Sequence, residues 1–281
     1  MLAAQRRAEI VSRLASAGAV NVTELAAQFE VSDMTIRRDL DHLAAQGLIT
    51  KVHGGAVTSA APEAPARRTQ EPGFTAKSAR QQAEKQAIAA EAAMLVQPGM
   101  SVGLSAGTTT WALAHRLVHV AGLTVVTNSP RIAEIFHHGA EATRDAAPGD
   151  TAAAGQTVIL TGGVRTPSDA LVGPIANQAL RSLHLDLIFL GAHGFAPEAG
   201  FTTPNLEEAE TNRTWLGTAP RAVVLADHSK WDTTALGSFA TLDQVQLLIT
   251  DTGLHDTAAA ALRKRLDALI LADPTQTRSP R

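Results

Sequence analysis

Cysteine is absent from the 281 residues, which excludes disulfides, thiolate zinc sites and a cysteine nucleophile, and fits a reducing compartment. No charge of one sign dominates either. Lys and Arg number 24 against 27 Asp and Glu, a formal net charge of -3, so nothing in the total points to nucleic acid. Long apolar runs are missing, since no stretch approaches the ~20 residues that span a bilayer. The opening Met1-Leu2-Ala3-Ala4-Gln5-Arg6-Arg7 lacks the apolar segment a signal peptide carries after its basic residues. These absences predict a cytoplasmic protein with no membrane partner.

What is present is apolar material: 45% hydrophobic against 18% charged residues, enough for a sizeable globular core. The length suggests about two domains. Residues 59–72 have three prolines and no apolar periodicity, so they read as a connector between domains at 1–58 and 73–272. A stretch rich in Ala, Gly and Asp at 139–156 reads as an inserted surface loop, and 273–281, with Pro274 and Pro280, as a flexible tail. No internal repeat is visible.

In the first 58 residues Arg6, Arg7, Arg13, Arg37, Arg38 and Lys51 balance Glu9, Glu24, Glu30, Asp33, Asp39 and Asp41, so DNA binding there must rest on local arrangement. Ile10 and Leu14 at helical spacing predict a first helix that Gly18 stops. Asn21 and Glu24 have the spacing of a capping box before a short helix with Leu25 and Phe29 on its apolar side. Ser32 can cap a third helix whose stripe is Ile36, Leu40 and Leu43, leaving Asp33, Met34, Thr35, Arg37, Arg38 and Asp41 on the other face. Helix, short helix, tight turn and helix is the order of a helix-turn-helix. Residues 48–53 alternate as a strand and Gly54-Gly55 turns it back, as a wing would. The candidate DNA contacts are Ser32, Met34, Thr35, Arg37 and Arg38 on the helix, with Lys51 and His53 on the wing. The competing reading has Arg37 and Arg38 on a solvated face, paired with Asp33 or Asp41 at a spacing of four.

Val31-Ser32-Asp33-Met34-Thr35-Ile36-Arg37-Arg38-Asp39-Leu40, then Gln46-Gly47-Leu48-Ile49 and Val52-His53-Gly54-Gly55-Ala56, resembles the DNA-binding signature of DeoR-family bacterial transcription regulators. The resemblance runs nearly unbroken from Arg6 to Val57. It implies groove contact by Thr35, Arg37 and Arg38 on double-stranded operator DNA.

From Met100 onward, β-rich runs at 101–104, 123–127, 158–160, 185–190, 222–226 and 245–250 alternate with helical stretches, predicting an α/β domain with a mainly parallel sheet. Ligands of such sheets lie beyond the carboxyl ends of the strands. The segments found there are polar and glycine-rich: Ser105-Ala106-Gly107-Thr108-Thr109-Thr110, Asn128-Ser129, Gly162-Gly163, Gly191-Ala192-His193-Gly194 and Asp227-His228-Ser229-Lys230. The first opens a helix, where free N–H groups and the positive helix end suit a phosphate, and Lys230 can supply countercharge. Plain helix capping by Ser105 or Thr108, with Lys230 in solvent, is the alternative. No nucleoside-triphosphate or dinucleotide glycine motif occurs, and no cofactor is expected. His137-His138 lacks metal-site context, and Trp111, Trp215 and Trp231 read as packing residues.

The resemblance continues through Ala106-Gly107-Thr108-Thr109-Thr110, 124–129, Leu160-Thr161-Gly162-Gly163, 170–174, Gly200-Phe201-Thr202-Thr203 and 224–230. It implies a sensor domain similar in fold to ribose-5-phosphate isomerases, a phosphorylated sugar as effector, and a homo-oligomer, dimer or tetramer, acting as a repressor of carbohydrate metabolism genes. Gly107, Thr108 and Thr109 would cradle phosphate, and Lys230 would hold phosphate or a sugar oxygen. Ser105, Thr110, Asn128, Gly163 and His193 complete the candidate effector site. Three positions depart from the family pattern: Ser105 where many relatives carry an acid, His193 where they carry Asp or Asn, and Asn212 where they carry a base. An isomerase would need a carboxylate base at this rim, for which Asp227, Glu207 and Glu208 are the candidates; the expected pattern is missing, and no enzyme is predicted.

Overall fold

A computed structural model describes residues 6–7, 9–11, 13–14, 19–29, 31–45, 49–52, 54–58, 73–144 and 156–276. Contacts divide the chain into two units, Met1–Arg67 and Arg68–Arg281. The connector expected at 59–72 lies outside the described residues.

In the first unit, β1 (Ala19–Asn21) leads into α1 (Val22–Phe29), α2 (Asp33–Ala45), β2 (Ile49–Val52) and β3 (Gly55–Thr58). The strands form an antiparallel sheet in the order β1-β3-β2. The stripe of Ile36, Leu40 and Leu43 is buried with Ile10, Leu14, Val22, Leu25, Ala26, Ile49 and Ala56. Asn21 caps α1 by accepting from the Thr23 N–H at 2.8 Å, and Ser32 accepts from the Thr35 N–H at 3.3 Å. The strand β1 was not foreseen, because three residues show no alternation and their partner is β3, far along the chain. Gly55 permits that pairing: a Cβ there would stand 2.1 Å from the Val20 carbonyl oxygen.

The second unit begins with α3 (Phe74–Ser78) and α4 (Gln82–Ala93), then β4 (Ser101–Leu104), α5 (Thr108–Leu117), β5 (Thr124–Thr127), α6 (Pro130–Arg144) and β6 (Thr157–Leu160). A small hairpin, β7 (Val164–Arg165) and β8 (Leu171–Val172), precedes α7 (Pro174–Arg181) and β9 (Leu187–Gly191). There follow β10 (Gly194–Ala196), β11 (Gly200–Thr203), α8 (Leu206–Leu216), β12 (Ala222–Leu225), β13 (Gly237–Ala240), β14 (Leu247–Asp251), α9 (Asp256–Leu262) and β15 (Leu269–Ala272).

Seven strands make one sheet in the order β15-β14-β12-β9-β4-β5-β6, and every pairing in it is parallel. The period of two sends alternate residues to opposite faces. Leu187, Phe189, Val223, Leu225, Leu247 and Ile249 pack with Ile88, Leu113, Leu117 and Phe136 of α4, α5 and α6. Ile188, Leu190, Val224 and Leu248 pack on the other side with Leu180, Trp215, Ala258 and Leu262 of α7, α8 and α9. That side also carries the aromatic residues Phe195, Phe201 and Phe239 of a second, antiparallel sheet, β10-β11-β13. Both faces of the large sheet are therefore covered, the condition under which parallel sheets are stable.

One boundary is corrected. The loop expected over 139–156 begins later, because α6 continues to Arg144. Ala140-Glu141-Ala142 are strong helix formers. Gly139 is there for close packing rather than termination, since a Cβ would meet Val118 Cγ2 at 2.3 Å. Residues 145–155 lie outside the described residues. Of the expected tail, Asp273 accepts from the Thr275 N–H at 2.9 Å and its hydroxyl at 2.7 Å, and 277–281 lie outside the description. Among the described residues no helix is long and apolar enough to cross a membrane.

Candidate functional site

The first unit presents the outer face of α2. Met34 is 60% exposed, Arg37 and Arg38 are exposed, and Thr35 is half-buried with its hydroxyl 3.0 Å from that of Ser32. Among the described residues Arg37 and Arg38 enter no ion pair, so the pairing with Asp33 or Asp41 weighed above does not form. Their five-donor forks are left for an outside acceptor. Asp39 is on the opposite side, buried, with Arg6 Nε 2.5 Å and Arg7 Nε 3.7 Å from its carboxylate. It ties Arg6 and Arg7, which precede β1 in the chain, to α2. Lys51 pairs with Ala56 in the wing, and Gly54, at φ 83, makes its turn; His53 lies outside the described residues.

In the second unit the strand order reverses between β4 and β9: β5 and β6 follow on one side of β4, while β9, β12, β14 and β15 follow on the other. Loops leaving neighbouring strands there go to opposite faces of the sheet and open a crevice, the usual ligand position in such folds. All strands being parallel, the five polar segments singled out above leave along one rim. At the crevice Ser105 and Gly107 face Gly191: the Gly191 N–H donates to Ser105 Oγ at 3.0 Å, and a Cβ on Gly107 would lie 3.9 Å from Gly191 Cα.

Gly107 is the N-cap of α5 and makes no side-chain cap hydrogen bond. The alternative of ordinary capping by Ser105 or Thr108 is thereby removed. Trp111 N–H returns to the Gly107 carbonyl, which leaves the N–H groups of the preceding turn without an intrahelical partner. Ala106, Gly107 and Thr108 are half-exposed, so the positive helix end is open to an anion.

The remaining expected contacts differ in their burial and hydrogen bonds. Ser105, 2% exposed, spends its hydroxyl on β9, and Thr110 donates to the Gly107 carbonyl at 3.0 Å. Asn128 is a brace: Oδ1 accepts from the Ala106 N–H at 2.8 Å and Nδ2 donates to the Leu171 carbonyl at 3.0 Å. Gly163, at φ +119, lets Val172 approach, since a Cβ would stand 2.5 Å from its carbonyl oxygen. Thr109 is buried, His193 is half-buried with its N–H on the Thr202 carbonyl at 3.0 Å, and Lys230 is half-buried on the turn after β12. Among the described residues the Lys230 ammonium has no hydrogen-bond or ion-pair partner. An Asn128→Ala protein is expected to lose about 1–3 kcal/mol of second-unit stability, because two part-buried hydrogen bonds, to Ala106 N–H and Leu171 C=O, are lost at about 0.5–1.5 kcal/mol each; chemical denaturation against wild type measures it.

Sequence reasoning missed Lys85, buried on α4, whose Nζ donates to the Lys77 carbonyl at 2.6 Å and the Arg80 carbonyl at 2.5 Å. Burial lowers its pKa, the neighbouring Asp227 opposes that shift, and Lys230 adds to it, so this cation belongs to the same rim. The signal was present: Lys85 shares the helical stripe of Ile88, Ala89 and Ala92, where a charge is out of place. Asp169 was missed too. It sits at φ 66, and although burial alone would raise its pKa, hydrogen bonds from Arg131 and Arg165 hold it below the usual carboxylate range.

Two of the three carboxylates a catalytic reading would need, Glu208 and Asp227, are engaged. Glu208 accepts from Thr166 Oγ1 at 2.9 Å, from Ser168 Oγ, and from Thr203 Oγ1 at 3.0 Å. Asp227 is buried and accepts from the Ser229 hydroxyl and N–H. Glu207 is exposed on the first turn of α8. Among the described residues no group of three or more His, Asp or Glu could hold a metal ion.

A helix-turn-helix with an exposed arginine face, followed by an α/β domain on a parallel sheet, defines a DNA-binding transcription regulator. The comparisons agree. A DeoR-like helix-turn-helix domain matches residues 6–60, and a DeoR C terminal sensor domain matches 80–252. The HTH-type transcriptional regulator YgbI of Escherichia coli K12 is 34% identical over 97% of this chain and 99% of its own length. GlpR of Haloferax volcanii is 35% identical over 89% of this chain and 91% of its own, and the lactose phosphotransferase system repressor of Streptococcus mutans 31% over 88% and 91%. Among solved structures, ribose 5-phosphate isomerase A of Methanocaldococcus jannaschii overlaps 53% of this chain and 54% of its own, at 17% identity and a TM-score of 0.36. The chain belongs to the DeoR family of DNA-binding transcriptional regulators, and the relatives given above are named as regulators or repressors rather than enzymes.

Proposed function

We propose that this chain is a repressor of carbohydrate-metabolism genes, in which residues 1–58 hold the operator, 59–72 connect, and 73–272 sense a phosphorylated sugar. The observation that carries the sensing is the uncapped start of α5 at the point where the strand order reverses. Phosphate seats on the N–H groups of Thr108 and Thr109 beside Gly107, where the helix dipole favours negative charge. Lys230 reaches it from β12, which is separated from β4 by β9 alone, about 10 Å away at ordinary strand spacing. A sugar monophosphate spans that gap, with His193 on the intervening loop beside its hydroxyls. The name of the Streptococcus mutans relative, a lactose phosphotransferase system repressor, supports a sugar-linked signal.

On the DNA side, Arg37 and Arg38 enter the major groove with Met34 and Thr35, Ser32 orders the helix start, and the wing offers Lys51 and His53 to phosphates. Two copies of the chain place two such helices on a palindromic site. The effector favours a form with weaker operator affinity, and a coupling of about 1–3 kcal/mol changes that affinity roughly 5–150-fold. Arg37→Ala is expected to weaken binding to the DNA upstream of the chain's own gene by about 1–3 kcal/mol, against little change on unrelated duplex. Equal loss on both duplexes, read by fluorescence anisotropy, would reduce Arg37 to a phosphate contact; no loss on either would remove it from the interface.

A further inference from the structure

We propose that α3, anchored by Phe74, is the strap that carries occupancy of the rim to the connector of the DNA-binding unit, an inference that rests on the sensing role proposed above. In chain order α3 is the first described element after the wing. Five residues are too few to hold a helix by themselves, so α3 persists only through what grips it.

Both grips belong to the effector rim. At its start, Phe74 is 8% exposed and meets Trp111 edge to face, with centroids 5.9 Å apart. Trp111 lies in the same first turn of α5 that offers N–H groups to an anion. The Arg131 guanidinium covers the other aspect of the Phe74 ring at 4.5 Å and is paired with Asp169. Asp169 stands just ahead of Leu171, which Asn128 ties to the anion loop. At the other end, the Lys85 ammonium donates to the Lys77 carbonyl, which also accepts from the Arg80 N–H at 3.3 Å, and to the carbonyl of Arg80 just beyond the helix, so it holds the turn that closes α3. Lys85 also feels Asp227 and Lys230. An anion arriving between α5 and Lys230 therefore acts on both ends of α3, through Trp111 and through the field at Lys85. A strap gripped at both ends by the binding site changes its hold when the site fills, and the chain leaving its N-terminus leads to the helix-turn-helix.

The test uses the full chain, its upstream DNA, and ribose 5-phosphate, fructose 6-phosphate and inorganic phosphate as probes. Phe74→Leu keeps apolar bulk but loses the ring, and stands in should Phe74→Ala not fold. In wild type a probe is expected to raise the melting temperature and to weaken DNA binding by about fivefold or more. The Phe74 variants should show the same thermal shift while their DNA binding changes by less than about twofold. Release from DNA equal to that of wild type would overturn the strap and leave the sensing role standing. If no probe shifts the melting of either protein, the sensing role as drawn fails, and the strap, which carries occupancy of that rim, falls with it.

Discussion

Asp39→Ala is expected to unfold the first unit under conditions in which the second remains folded, at a cost of about 3–5 kcal/mol. Its carboxylate is the 2.5 Å partner of a buried Arg6 guanidinium, with Arg7 close behind. Removing it leaves the buried Arg6 guanidinium without its counterion and beside a second cation, Arg7. A unit of this size is stabilised in total by roughly 0.05–0.15 kcal/mol per residue, a sum of the same order as the loss. Calorimetry should show the earlier transition vanish while the sensor transition keeps its midpoint. An Arg6→Met, Asp39→Leu double variant should regain much of the stability, because an apolar pair of similar volume replaces a buried ion pair at little cost. A single-variant loss below about 1 kcal/mol would reduce the pair to the rank of a surface bridge.

Lys230→Met is expected to abolish the effector response at ordinary concentrations while operator binding without effector is unchanged. A hydrogen bond between ammonium and phosphate is worth about 1.5–3 kcal/mol, so the effector should bind roughly ten- to a hundredfold more weakly. The variant keeps the apolar stem and does not touch α2, which isolates the charge. Titration calorimetry with a sugar phosphate gives the affinity, and anisotropy on upstream DNA gives the response. Affinity within about twofold of wild type would place the anion away from the β12 turn.

Elements built on local periodicity were legible. The Ile36, Leu40 and Leu43 stripe and the Ser32 cap gave α2, and the alternation of apolar runs gave six of the seven parallel strands. What escaped depends on distant partners. Three-residue β1 is a strand only because β3 lies beside it, and the β7–β8 hairpin has two residues on each side. Strand order could not be read at all, since it is set by which strands pair and not by any one strand's composition. The rim residues were recognisable by type, but their division of labour was not. Ser105 and Asn128 look like ligand contacts in sequence, and only their hydrogen bonds to Gly191, Ala106 and Leu171 show them holding the loop. Asp39 and Lys85 carried a quieter signal, a charge on an otherwise apolar stripe, which marks a paired ion inside the protein rather than one facing solvent.

The reversal of strand order between β4 and β9 has an evolutionary corollary. The sheet's ladders run through backbone atoms of the strands, whereas chemical preference for one metabolite over another resides in tips that project past them. If the crevice holds the effector as proposed, descendants of one ancestral gene can exchange His193 or its neighbours and acquire a new inducer while inheriting the scaffold and the operator-reading helix intact.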